Sequence, residues 1–382
     1  MFPELKLRVR VRGRHPQFFR KMIHKPASPL PAGGPVFVRD RDGKPVGVGF
    51  YNPRSELALR MLSREPIEGV DACLSARVAD ACALRDLRLR LPDSTDGYRL
   101  IHAEGDRIPG LILDRLGRAI VAQVHARCIT PYLEEIGEQL LERYPGSQLL
   151  LTVDAEAAMR EGIDKPPRQN ADPVAVTEHG IRFTVHPGSG HKTGFFADQR
   201  ENRQRVRRLA AGRDVLDLFC NSGGFALAAQ AGGARRVRAV DLDESMVEQA
   251  SANAEANRMR IAFEHADAFD VLKRCRVGTH DLIVLDPPKW ARGKDEVDGA
   301  LTRYHDLNRL AFEKLPPGGL LVTCSCSGAL GEHRFLAMLA DAAAAARRDA
   351  RVLFSGGAGP DHPVALECPE TRYLKVVILE VC

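Results

Sequence analysis

Basic and apolar residues alternate strictly near the start of the chain: Lys6, Arg8, Arg10 and Arg12 fall on one side, Leu7, Val9 and Val11 on the other. A period of two predicts a half-buried strand with a cationic outer face. Two β-rich runs then flank Asp42-Gly43 in "VFVRDRDGKPVGVGFYN", a hairpin signal, and "ELALRML" adds another strand. Residues 1–68 are therefore expected to form a small β-rich domain. Beyond residue 69 the pattern changes. "CLSARVADACALRDLRLRL" reads as helix, "YRLIHAEGD", "GLILDRLG" and "AIVAQVH" as short strands, "PYLEEIGEQLLERY" as an amphipathic helix and "QLLLTVD" as a strand. This predicts a small central α+β domain over 69–178, in which the proline-rich, polar "GIDKPPRQNADP" is a linker signal.

"GIRFTVHPGSGHKTGFFADQR" reads as a hairpin and a loop. From residue 213 strand and helix patterns alternate: "DVLDLF", "GGFALAAQAG", "RVRAVD", "ESMVEQASANAEAN", "IAFEHAD", "DLIVLD", "LTRYHDLNRLAFEKL", "GLLVTCS", "EHRFLAMLADAAAAAR". That order predicts an α/β domain over 179–382, a Rossmann-like parallel sheet with helices on both faces.

Charge changes this picture at one end only. The chain carries a net +5, but residues 1–62 hold thirteen Lys/Arg against four Asp/Glu, a local +9. A basic first domain on a near-neutral body points to a polyanionic partner, with Lys6, Arg8, Arg10, Arg12 and Arg14 as candidate RNA contacts. No apolar run approaches a membrane span, and the start lacks the apolar core of a signal peptide, so a cytoplasmic protein with no membrane partner is expected. Nine scattered cysteines, with one CxC and no second clustered pair, predict neither a disulfide framework nor a metal site.

Ligands of doubly wound sheets sit outside the carboxyl ends of the strands. "VLDLFCNSGGFA" puts Asp217 at such an end, followed by a loop through Phe219, Ser222, Gly223, Gly224 and Phe225. The full GxGxxG of a dinucleotide site is missing, which argues against a NAD-dependent dehydrogenase. Asp241 ends the next strand and Asp267, followed by Ala268 and Phe269, the one after. Three acids at successive strand ends suit S-adenosylmethionine: ribose hydroxyls at Asp241, the adenine amino group at Asp267, the methionine moiety by the glycine loop. In "LIVLDPPKW" two prolines stiffen the chain beside Asp286, a carboxylate placed to hydrogen-bond a planar base.

With these motifs in place, the chain resembles bacterial class I large-subunit rRNA methyltransferases that carry an N-terminal PUA domain and make 5-methylcytidine. The resemblance runs nearly end to end. "GVGFYNPRSELALRML", "YRLIHAEGDRIPGLILDR", "HKTGFFADQRENR", "VLDLFCNSGGF", "VLDPPKW", "LLVTCSCSG", "DHPV" and "PETRYLKVVIL" carry it in order. It implies a PUA-like RNA-binding domain, large-subunit rRNA as partner, and Phe196, Asp198 and Arg200 as cofactor-positioning residues. The chain departs from the family pattern at His191, Asn221-Ser222 and Lys289-Trp290. Trp290 could stack on the target base or pack against its own domain.

The CxC then acquires a purpose. C5 of cytosine is a poor nucleophile until a thiolate adds at C6, so the chemistry needs a catalytic cysteine. Cys326, nearer the strand exit than Cys324, is the expected nucleophile, with Asp286 beside the base and Cys324 as support or filler. Two alternatives remain open: methylation of an exocyclic amine of guanine or adenine, which needs no thiol, and a non-catalytic RNA-binding assembly factor. An exposed edge strand in either of the first two domains could serve a homodimer.

Overall fold

The structure, a computed structural model, describes residues 2–164, 171–188 and 193–382. His191 and the centre of the expected linker lie outside them. The chain forms two compact units. One comprises Met1–Thr177, Val185–Ala197 and Pro360–Thr371; the other Glu178–Thr184, Asp198–Gly359 and Arg372–Cys382.

The first unit opens with β1 (Glu4–Lys6), β2 (Gln17–Phe18), β3 (Gly34–Arg39), β4 (Pro45–Tyr51) and β5 (Leu59–Ser63), in one sheet of order β1-β3-β4-β5-β2. The β3–β4 hairpin turns at Asp42-Gly43, with Gly43 at φ +80. Leu5, Leu7, Val36, Val38, Leu59 and Met61 fill its core. The expected strand through Arg12 is shorter than its pattern suggests: regular pairing ends at Lys6. Leu7 and Arg41 continue the bonding on one side, to the Arg39 and Val9 carbonyls. On the other side Arg8 N meets Met22 O of a single 3₁₀ turn, too short to extend a ladder. Burial still alternates, so Arg8, Arg10 and Arg12 face solvent as the period predicts.

The same unit continues with α1 (Val70–Ala83), β6 (Gly97–His102), β7 (Leu111–Leu116), β8 (Ala119–Val124), α2 (Leu133–Arg143), β9 (Gln148–Thr152) and α3 (Ala155–Glu161). The sheet order is β6-β7-β8-β9, antiparallel except for β8–β9, which α2 connects as a parallel crossover. Next come β10 (Val174–Glu178) and β11 (Ile181–Val185), a two-stranded pair.

The second unit holds α4 (Arg200–Leu209), β12 (Asp214–Leu218), α5 (Gly224–Ala231), β13 (Arg236–Asp241), α6 (Glu244–Ala256), β14 (Ala262–His265), α7 (Ala268–Arg274), β15 (Leu282–Leu285), α8 (Val297–Lys314), β16 (Leu320–Ser325), α9 (Glu332–Ala345), β17 (Ala350–Gly356) and β18 (Lys375–Val381). Its sheet runs β14-β13-β12-β15-β16-β18-β17. Successive residues of the central strands bury on opposite faces: Leu216, Ile283 and Leu321 join one core, Val215, Val284 and Val322 the other. Strands covered on both faces read as continuous apolar runs, which is why they were legible. Two features differ from expectation. The sheet is mixed, because β18 pairs antiparallel to β16 and to β17. The stretch after "FFADQ", for which the pattern predicts no element, forms α4. Among the described residues no helix is long and apolar enough to cross a membrane.

Candidate active site

Five parallel strands bring their carboxyl ends to one edge of the second sheet. Their spatial order sets the residues there in a row: Asp267 after β14, Asp241 ending β13, Asp217 in β12, Asp286 after β15, then Cys324 and Cys326 at the exit of β16. Strand order reverses between β12 and β15, the place where such sheets hold ligands.

Asp217 is fully buried. Its Oδ2 accepts from Ala226 N at 2.9 Å, tying β12 to the first turn of α5, while Oδ1 has no hydrogen-bond partner among the described residues. Burial, and then the Asp286 and Asp241 carboxylates, push this carboxyl up to about 8, with the Ala226 bond opposing. A buried oxygen without a donor, in an acid this perturbed, fits a cationic ligand group. The loop that follows is bent unusually hard: Phe219, Asn221 and Gly223 all have positive φ, at 68, 47 and 87. For Phe219 that backbone is costly, and such strain concentrates at binding sites. At Gly223 the φ of +87 favours glycine, and a Cβ would also push on Leu227 Cδ1 at 2.5 Å. Ser222 O accepts from the buried Asn253 Nδ2 at 3.0 Å, and Phe225 and Ala268 are core residues.

Asp241 is held by two backbone amides, Asn221 N to Oδ2 at 2.7 Å and Asp243 N to Oδ1 at 3.0 Å. Asp267 caps α7, its Oδ1 accepting from Phe269 N at 2.9 Å and Asp270 N at 3.1 Å. Each carboxylate is thereby fixed in orientation and keeps lone pairs for hydroxyl or amino donors. These residues fit an adenosine-bearing ligand without a pyrophosphate.

On the other side of the strand-order reversal, Gln199 Nε2 donates to Asp286 Oδ2 at 3.0 Å, and its Oε1 accepts from Asn202 Nδ2 at 2.8 Å. This fixes which way the amide, and so the carboxylate, faces. Cys324 is wholly buried; burial, then the Asp286 charge, hold its thiol well above the ordinary range. Cys326, past the end of β16, is half-buried. The turn behind it is stiff: Ser327 Oγ accepts from Ala291 N at 3.1 Å, and Lys375 Nζ donates to Ser327 O at 2.5 Å. Cys220 is buried and its thiol is pushed up by burial and by Asp217, as suits a structural residue.

Trp290 packs within its own unit. Its ring lies 4.6 Å from Tyr304 and 6.4 Å from Phe269, with the Arg303 guanidinium 4.8 Å above it. Phe219 meets it edge-on at 6.2 Å.

Residues 165–354 match the family model described as S-adenosylmethionine-dependent methyltransferase, and 6–64 match the PUA-like domain. Ribosomal RNA large subunit methyltransferase I of Shewanella frigidimarina is 36% identical over 384 residues, covering 96% of each chain. That of Tolumonas auensis is 37% identical over 385 residues, covering 96% of this chain and 95% of its own. The chain belongs to the ribosomal RNA large subunit methyltransferase I family. It is an S-adenosylmethionine-dependent methyltransferase with a PUA-like domain before its Rossmann-like one. The fold also matches a SAM-dependent methyltransferase structure from Streptococcus mutans, at TM-score 0.81, 21% identity, 99% of this chain and 100% of that one.

Within this family frame, the remaining expected residues divide between the units. Phe196 belongs to the first unit; Asp198 and Arg200 belong to the second, both buried at the start of α4. Asp198 Oδ2 accepts from Tyr373 OH at 2.5 Å. Lys6, Arg8, Arg10, Arg12 and Arg14 are exposed on the first unit, where Arg10 pairs with Asp42. Arg14 also lines a cavity of ≈ 180 Å³ with Arg64, Arg77 and Arg107, three cations the charge pattern did not single out. Two site residues were missed as well. Gln199 sits inside the quoted "ADQR", so only its role was unread. Lys375, inside "YLKVV", looks like an ordinary strand residue until pairing places it opposite Ser325.

Proposed function

We propose that this methyltransferase forms 5-methylcytidine in large-subunit rRNA through a covalent adduct between Cys326 and C6 of the target cytosine. The carrying observation is a half-buried thiol and an oriented carboxylate at neighbouring strand exits, Cys326 after β16 and Asp286 after β15. A methyltransferase acting on an exocyclic amine has no use for the first. The buried Tyr304 lies near both; burial, the largest cause, pushes its hydroxyl up to about 12 against the lowering bonds to Ser325 and Ser327. The relatives' printed names support large-subunit rRNA as substrate, and the cationic face of the first domain, Lys6 to Arg14, supplies a surface for phosphates. The division into domains at 1–68, 69–178 and 179–382, and action in the cytoplasm, belong to this reading.

The cofactor supplies a methyl group on a positive sulfur, so its site must accept cation and adenosine together. Asp217 with the Phe219–Phe225 loop would take the methionine end, Asp241 the ribose, and Asp267 with Ala268 and Phe269 the adenine, with Asp198 and Arg200 positioning it. On the base, the Cys326 thiolate bonds C6 and the C5=C6 electron pair moves onto C5, which becomes nucleophilic. Asp286 hydrogen-bonds at N3 and stabilises the adduct. After C5 is methylated, a base takes the C5 proton, that C–H pair re-forms C5=C6, and the thiolate leaves. The base must be turned out of its stack to reach this edge.

Nucleoside mass spectrometry tests the reading on unmodified large-subunit rRNA. Wild-type protein is expected to yield 5-methylcytidine, and Cys326→Ala to lose at least ~10³-fold in rate, as removal of a covalent nucleophile does. Methylated guanosine or adenosine that survives the substitution would overturn it.

A further inference from the structure

Lys375 is a feature of this edge that the chemistry above leaves unused. It opens β18 directly across from Ser325, the last residue of β16. Its side chain is buried at 3% exposure. Nζ donates to Ser327 O at 2.5 Å and to Tyr373 O at 2.8 Å, which aims the ammonium into the turn that holds Cys326. Among the described residues no carboxylate lies within ion-pairing distance of it. Glu332, a nearby acid, is already bound to Arg372 at 2.8 Å. Burying a lysine without a carboxylate is expensive, and a fold that retains one has an anion to meet.

We propose that the Lys375 ammonium is the charge partner that holds Cys326 as a thiolate, making Lys375 a positioning residue for attack on C6. The inference deepens the nucleophile reading and rests on it. The groups facing Lys375 are Cys326 from the exit of β16, Lys289 from the loop after β15, Arg372 ahead of β18 and Glu332 at the start of α9. Burial, the largest influence, lowers the lysine to about 8; Cys326 opposes that, while Lys289 and Arg372 reinforce it. Cys324, Tyr304 and Lys375 all lie within electrostatic reach of Cys326, and the Asp286 carboxylate bears on the first two. Lys375 brings positive charge to this group, against the negative charge of Asp286. An unassisted thiol titrates near ~8.5, with only a few per cent thiolate at neutral pH, and a cation beside it raises that fraction. The proton lost by the thiol goes to solvent; the ammonium keeps its own three and offers its third N–H to sulfur.

The test is the pH profile of iodoacetamide alkylation at Cys326 in the full chain, followed by mass spectrometry of its peptide. Wild type is expected to titrate at least one unit below ~8.5. Lys375→Met should move the midpoint up by a unit or more and slow alkylation at pH 7 about tenfold, and Lys375→Arg should restore most of the shift. In turnover, Lys375→Met should lower kcat with KM for RNA unchanged. S-adenosylmethionine affinity reports whether each variant is folded. A wild-type midpoint at or above ~8.5, or a profile that Lys375→Met leaves in place, overturns the pairing, and the wild-type profile alone can do so if the variant fails to fold. Loss of 5-methylcytidine in Cys326→Ala is a separate readout, so failure of the pairing and failure of the nucleophile reading are distinguishable.

Discussion

The core of the first unit and the strand edge of the second bury charge in opposite ways. In the first, Arg85 grips Asp106 with two bonds of 2.6 and 2.8 Å, and Arg99 grips Asp114 with bonds of 2.5 and 3.1 Å. Asp361 joins them: its Oδ2 accepts from Arg99 N at 3.0 Å and its carbonyl from Arg85 NH2 at 2.6 Å. Both guanidinium–carboxylate pairs meet in fork geometry. At the strand edge of the second unit, Asp217 and Lys375 are just as inaccessible, yet neither has an ion-pair partner among the described residues, and both are displaced to about 8 from opposite directions. Paired burial ties the chain together. Unpaired burial costs stability, and it persists where a ligand or a reacting group supplies the missing charge.

Substitution should separate the two kinds. Arg99→Met leaves Asp114 buried without its guanidinium, and removing one partner of such a pair costs about 3–5 kcal/mol. Thermal unfolding should show a midpoint lower by roughly 10 °C; a change under about 2 °C would mean the network is not structural.

Asp217→Asn should do the reverse. Amide oxygen can still accept from Ala226 N, but the group no longer resists ionisation. The folded-state pKa of Asp217 lies above its unfolded value, so the wild type loses stability as pH rises from near 4 through about 8. At pH 8 the variant should therefore melt about 2–4 °C higher, with the gain vanishing at pH 4, while S-adenosylmethionine affinity drops at least tenfold. Calorimetry of wild type in buffers of different ionisation enthalpy should also show proton release on cofactor binding below pH 8. A variant that is less stable and still binds would collapse the contrast.

The smallest effect lies on the surface of the first unit. Arg10 already has Asp42 beside it, whereas Arg12 is exposed with no ion pair among the described residues. Arg12→Ala should reduce the slope of log affinity for RNA against log salt by about 1, and Arg10→Ala by less. Equal slopes would show that Asp42 does not shield its neighbour.

Local pattern settled a great deal here. The runs "DVLDL", "LIVL" and "LLVTC" are short and largely apolar, and their length and flanking turn residues favour strands buried on both faces over buried helix. Alternation with helices made β12 to β16 parallel, which put Asp217, Asp241, Asp267, Asp286 and the cysteines at strand ends before any coordinate was known. What pattern could not carry was pairing between distant segments. "LKVVILEV" has a strand's composition, but nothing local says that it runs antiparallel beside β16 and sets Lys375 across from Ser325. "RENRQRVRRL" hid its helix under five arginines, since its apolar face is narrow and Arg200 and Arg203 are themselves buried. "DHPV" carried only a family resemblance, and the fold alone shows Asp361 bonded to Arg99 and Arg85. Periodicity reports which face of an element meets the core. Which charge meets which, across fifty or more residues, is decided by the three-dimensional packing that makes burial affordable.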